Sequence, residues 1–212
     1  MKDPRFVTPE GKLIVQSDKT GLLMGNRGHL RRSHYGKEFP CAPGMPWITC
    51  LIKENGVALP KADVKYTKLF FLDEVTALAA GHRPCYSCQR RRYHEFETYW
   101  GKAHKTGSQD FDGVLAEDRE QRSLTGRIFA ADVNTLPRGT FVIPPGSQQP
   151  HLLLWRKLFP WTMNGYEKPL HKMTYNQVSV ITPKTIVEMF GKGFPLRLDM
   201  EETVHPSIFS YI

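Results

Sequence analysis

Two cysteines separated by two residues, Cys85 and Cys88 in the stretch RPCYSCQRRR, carry the clearest chemical signature of this 212-residue chain. A C-x-x-C pair brings two sulfurs to one side of a turn, and thiolates are natural ligands of a borderline-soft cation such as zinc. Cys41 and Cys50 complete a set of four. Eight residues separate Cys41 from Cys50, thirty-four separate Cys50 from Cys85, and two separate Cys85 from Cys88. Together the four can close one all-thiolate zinc site, which leaves no position for an activated water and makes the metal structural. Cys41 lies in a loop containing Pro and Gly, so His29, His34 or His82 can stand in for it as a nitrogen donor. A plainer reading makes Cys41 and Cys50 small buried hydrophobes and the C-x-x-C a helix cap or redox pair.

Acid and base groups near the pair are few. Glu74 and His82 are the candidate catalytic residues, with Asp73 and His205 next to be tested. Basic groups are plentiful. There are 29 Lys and Arg against 21 Asp and Glu, a formal charge of +8 that favours a polyanionic partner. Gly25 and Gly28 flank Arg27, Arg31 and Arg32 follow them, and Arg83, Arg90, Arg91 and Arg92 flank the C-x-x-C; all seven are candidate phosphate contacts. For each of them the alternative is a solvated basic face.

The elements that must position these residues can be read from pattern. Asp73 and Glu74 suit a helix N-terminus, with Asp73 accepting an orphan N–H. Val75, Leu78 and Ala79 then fall on one face, Gly81 supplies a positive-φ stop and Pro84 prevents continuation. The C-x-x-C occupies the turn and first turn of a second helix reaching about Trp100, with Tyr93, Phe96 and Trp100 as its buried stripe. Upstream, the segment to Val15 reads as a strand or loose hairpin, and residues 21–37 as a basic loop. Trp47 to Ile52 reads as a strand running into an Asn55-Gly56 turn, with a return over 58–64. Downstream, Phe111 to Leu124 reads as a charged helix with a solvated face.

From Gly126 the character changes to short strands punctuated by Pro and Gly, over 127–133, 140–143, 151–157 and 178–181. Thr182 and Pro183 open a last helix as N-cap and N1, ending before Gly191 or Gly193. Trp155, Phe159, Trp161 and Tyr166 alternate with basic residues, a mixture that suits core packing better than base stacking.

The run Ala79-Ala80-Gly81-His82-Arg83-Pro84-Cys85-Tyr86-Ser87-Cys88 resembles the metal-binding module of the bacterial Ada DNA-repair proteins, over about Trp47 to Trp100. The resemblance implies zinc held by four cysteines and proximity to DNA. It does not extend to methyl transfer: Cys41 and Cys50 are far apart where that family has a close pair, and no Pro-Cys-His nucleophile follows. Pro84-Cys85-x-x-Cys88 also fits half of the nucleobase deaminase signature, but Leu72 stands where its His or Cys belongs and only nine residues separate Glu74 from Pro84.

The expected fold is therefore α+β: a zinc-stapled N-terminal module over 1–108 with a β-hairpin and two helices, then a small antiparallel β-rich part over 109–212 with one helix, the two able to pack as one domain. The expected function is a zinc-containing nucleic-acid-binding protein, with DNA favoured over RNA, in repair or defence. The alternatives are a nucleic-acid processing enzyme using Glu74 and His82, and a zinc-dependent protein-interaction module. An apolar content of 40% supports a real core, no run of eighteen apolar residues suggests a membrane span, and the N-terminus lacks an apolar signal region. These features, with four cysteines too few for a disulfide scaffold, point to the cytoplasm.

Overall fold

Helix α1, Glu74–Ala79, is short and buried on every side, which marks it as the joint of the molecule rather than a surface element. Its ends follow from the flanking residues. The Asp73 carboxylate accepts from the Thr76 N–H at 2.9 Å, capping the N-terminus. At the other end Gly81 turns to φ +83°, so its N–H reaches the Leu78 carbonyl and that of His82 reaches Ala77. That pair of bonds is a Schellman motif.

The computed structural model describes residues 5–15, 21–27, 31–32, 38–39, 45–54, 57–58, 69–104, 110–171, 175–197 and 204–211. The chain is α+β. Ahead of α1 lie β1 Arg5–Val7, β2 Leu13–Val15, β3 Leu23–Asn26, β4 Arg31–Arg32, β5 Glu38–Phe39, β6 Ile48–Leu51, β7 Lys53–Glu54, β8 Val57–Ala58 and β9 Leu69–Phe71. Strand β10, Arg83–Pro84, and helices α2, Arg90–Ala103, and α3, Phe111–Thr125, follow. The rest is β11 Phe129–Asp132, β12 Phe141–Ile143, β13 His151–Leu154, β14 Lys157–Thr162, β15 Gly165–Tyr166, β16 Leu170–His171, β17 Gln177–Val180, helix α4 Lys184–Gly191 and a 3-10 turn Pro206–Tyr211.

Two larger sheets result. The first is mixed, in the order β10-β6-β3-β9-β1-β2, with β9 parallel to β1 and β10 parallel to β6. The second is antiparallel, in the order β11-β17-β12-β13-β14-β15, with β16 also on β14. The expected hairpin is present as the antiparallel pair β7–β8, and β1–β2 forms a second one, but most of the N-terminal part is a six-stranded mixed sheet that was not expected. Strands of two to four residues are too short to declare themselves by alternation. Pro84 is admitted to β10 because that strand is an edge.

The main core crosses residue 108 freely. Val75, Leu78 and Ala79 of α1 share one cluster with Phe96 and Trp100 of α2, Phe111 and Leu115 of α3, and Phe141, Phe159 and Trp161 of the second sheet. On the other side of α1, Ala77 and Ala80 pack with Val7, Leu23, Leu69 and Phe71 of the first sheet. Polar bonds reinforce the joint: Trp161 Nε1 donates to Thr76 Oγ1 at 3.1 Å, and Tyr166 Oη and the His205 N–H both donate to Asp73 Oδ2.

Three local expectations are corrected. The strand read over 151–157 is two strands, β13 and β14, joined at Trp155 and Arg156, whose φ values of 45° and 61° make the turn without any glycine. Thr182 is not a helix cap; its hydroxyl accepts from the Phe141 N–H at 2.7 Å, while Asp118 of α3 accepts from the first N–H of α4. The basic loop expected from Gly21 opens instead with β3 in the interior of the first sheet. There Gly25 is needed for packing, since a Cβ would lie 2.6 Å from the Phe71 ring.

Candidate metal centre

Cys50, Cys85 and Cys88 are brought together by strand pairing followed by a turn. Cys50 lies on β6, opposite Met24 of β3. The parallel β6–β10 pairing extends one bond beyond Pro84, where the Cys85 N–H donates to the Thr49 carbonyl at 2.9 Å. That bond sets Cys85 beside Cys50 across thirty-four intervening residues. The chain then turns through Tyr86 and Ser87, and the Gln89 N–H closes the turn on the Cys85 carbonyl. The Gln89 side chain reaches back to Thr49, donating to its carbonyl at 2.8 Å and approaching its hydroxyl at 3.2 Å. Helix α2 starts only after this, at Arg90, so the C-x-x-C is a braced turn and not the first turn of the helix.

The ligand atoms of the three cysteines all lie within 4.8 Å of one another, and the three are free and half-buried. Thiolates bound at about 2.3 Å to one ion would sit roughly 3.8 Å apart, so the cluster fits a shared cation with little movement. The three thiols also perturb one another. The Cys50 thiol is pushed up, first by its hydrogen bond to Cys85, then by that to Cys88 and by burial. Cys85 is held well below the ordinary thiol range, chiefly by the hydrogen bond from Cys50. One thiolate supported by hydrogen bonds from neighbouring thiols is the arrangement these shifts describe.

Cys41, His29 and His34 lie outside the described residues. His82 is not near enough to join the cysteine cluster among the described residues. Its ring is fully buried between Trp47 and Phe71, at centroid distances of 4.9 and 4.6 Å, and its Nε2 accepts from Arg27 Nε at 3.2 Å. Glu74 is held elsewhere, in a bidentate pair with Arg92 at 2.8 and 2.6 Å. The two candidate acid-base residues therefore have separate partners, and both are buried.

The seven candidate phosphate contacts divide sharply. Arg27 is buried and donates to His82 and to the Gly11 carbonyl. Arg83 is paired bidentately with Asp112 at 3.0 and 2.8 Å. Arg92 binds Glu74, Glu95 and the Pro195 carbonyl, and lies over the Phe194 ring. These three guanidiniums are occupied within the fold. Arg31 and Arg32 form β4 against β5. Arg90 and Arg91 are exposed on the first turn of α2, and Arg90 lies 5.3 Å over the Tyr86 ring, itself 46% exposed.

Sequence reasoning missed Arg119 and Arg122, which it assigned to a solvated helix face. Both turn inward. Arg119 donates to the Gly81 carbonyl, and Arg122 to the carbonyls of Pro9, Ala79, Ala80 and Ile181. The signal was present: Phe111, Leu115, Arg119 and Arg122 continue one stripe at helical spacing, so the buried face of α3 runs through both arginines. Trp47 was missed as well, and two guanidiniums lie over its ring, Arg27 at 3.8 Å and Arg119 at 4.1 Å.

Compared with known proteins, the chain matches no family model, no curated protein and no solved structure.

Proposed function

We propose that Cys50, Cys85 and Cys88 hold a zinc ion, with Cys41 or a histidine as fourth ligand, and that the stapled module binds nucleic acid, DNA in preference to RNA. The observation that carries the reading is the convergence of three thiols from β6 and the β10–α2 turn within 4.8 Å. An all-thiolate or thiolate-rich set favours zinc over the hard cations. Bound there, zinc would tie β6 to the start of α2 and supply folding energy.

The nucleic-acid half rests on charge and its placement. The chain carries a formal +8. Arg90, Arg91 and the exposed Tyr86 stand together beside the cysteine turn, a cationic and aromatic face suited to phosphate and base contact. The resemblance of Ala79 to Cys88 to the Ada module favours DNA.

Two measurements test the two halves. Purified protein is expected to contain one zinc per chain, lost in Cys85→Ser; undiminished zinc in that variant sinks the metal site. Zinc retention in Cys41→Ser removes Cys41 from the site and leaves the fourth position to a histidine or to an open, water-accessible place. Affinity for a short DNA duplex should fall with salt, and Arg90→Ala with Arg91→Ala should reduce the log–log slope by about one for each phosphate no longer neutralised. Salt-independent or absent affinity would favour a protein-interaction module, and tighter binding of the matching RNA would reverse the preference.

A further inference from the structure

A cleft of about 680 Å³ opens where the first sheet, α3 and the second sheet meet, away from the cysteine turn in its lining residues. Its charged walls are Lys12, Arg119, Arg122 and Arg127 against one carboxylate, Glu10, and Trp47 supplies an aromatic wall. Arg27 adds a fifth cation behind Trp47. Among the described residues neither Arg119 nor Arg122 nor Arg27 forms an ion pair with a carboxylate; their hydrogen bonds go to carbonyls and to His82.

The first explanation to weigh is that these arginines merely cap helix α1, since Ala79, Ala80 and Gly81 present its last carbonyls. Magnitudes decide against that as a full account. A helix C-terminus carries about half a negative charge, so the ends of α1 and α3 together supply about one. Three clustered guanidiniums carry three positive charges, which Glu10, Asp112 and Asp118 offset only through space and without a direct ion pair among the described residues. Burial and then Arg122 bring Arg119 down to about 10 against the pull of Asp112 and Asp118, and burial brings Arg122 to about 10 against Glu10 and Asp118, so both remain charged at neutral pH. Arg119 also has donors to spare, since only one of its N–H groups is engaged by a described residue.

We infer that this cleft binds the phosphate group of an organic ligand of nucleotide size, with Arg119 and Arg127 as direct contacts and Arg122 and Arg27 supplying the field behind them. A forked guanidinium matches a phosphate bidentately, and the walls are mixed polar and apolar as ligand sites are. The volume is more than a bare ion needs and within the range of small-ligand pockets. The inference does not depend on the metal or on the Arg90–Arg91 face.

Calorimetric titration of the full chain with a 5′-mononucleotide, its nucleoside, inorganic phosphate and a short 5′-phosphorylated oligonucleotide tests it. The mononucleotide or the phosphorylated strand is expected to bind about tenfold or more tighter than the nucleoside, and Arg119→Met to lose about tenfold or more. Whichever of the two binds tighter names the source of the phosphate. Arg127→Ala, at an exposed residue that leaves the fold intact, should lose several-fold, with zinc content unchanged. Equal binding of nucleoside and nucleotide, no phosphate-dependent heat from any probe, or full affinity in both variants overturns the inference.

Discussion

At His82 a buried ring, a hydrogen bond and a cationic neighbourhood impose one protonation state. Nε2 accepts from Arg27, so the proton sits on Nδ1, which has no partner among the described residues. Burial, followed by the charges of Arg27, Arg119 and Arg122, holds the ring well below its usual value of 6.5. Because the folded value lies below the unfolded one, the contribution to stability is fully present above pH 6.5 and is lost as pH falls further. His151 is lowered in the same direction, by burial. Urea denaturation between about pH 7.5 and 5 should therefore show stability falling by up to about 1.4 kcal/mol per pH unit for each such histidine. His82→Gln should flatten that slope by close to one proton; an identical slope in the variant would show that His82 is not the group responsible. Little of this was legible in the sequence. A lone histidine before an Arg-Pro pair invites a ligand or catalytic reading, and only the fold reveals that Trp47, Phe71 and Arg27 enclose it.

The cysteine turn shows which elements a sequence displays and which it hides. Asp73 as cap, the apolar face of α1, the positive φ of Gly81 and the buried Phe96 and Trp100 of α2 all follow from residue type and spacing. Strand β10 does not, because two residues including a proline give no alternation; only its pairing with β6 makes it a strand. That pairing is nevertheless what places Cys85 beside Cys50. Gln89 completes the brace by spanning from the start of α2 to Thr49. Such outer contacts orient ligands without touching the ion, so Gln89→Ala should weaken zinc affinity by about 10–100-fold while leaving circular dichroism unchanged. Competition against a chromophoric chelator measures this, and an unaltered affinity would remove Gln89 from any role in setting the site. The inward turn of Arg119 and Arg122 was hidden for a different reason: charge patterning outweighed the stripe that Phe111 and Leu115 had already begun.

Across the whole molecule, α1 works as a shared wall between two cores. One of its faces belongs with α2, α3 and the second sheet, the other with the first sheet. A fragment covering 1–108 would leave Phe96 and Trp100 without Phe111 and Phe194, and Asp73 without Tyr166 and His205. Expressed with zinc supplied, that fragment is expected to melt without a cooperative calorimetric transition. A transition as sharp as that of the full chain would mean that the N-terminal sheet carries its own sufficient core. Arg122 draws the same unity tighter. Its guanidinium is satisfied by carbonyls of Pro9, Ala79, Ala80 and Ile181, three regions remote from one another in sequence. During synthesis that group lacks its Ile181 acceptor until the C-terminal half has left the ribosome, so its full set of bonds is completed last. Once formed, the tether couples the opening of the three regions, since losing any one of them leaves a buried guanidinium short of an acceptor.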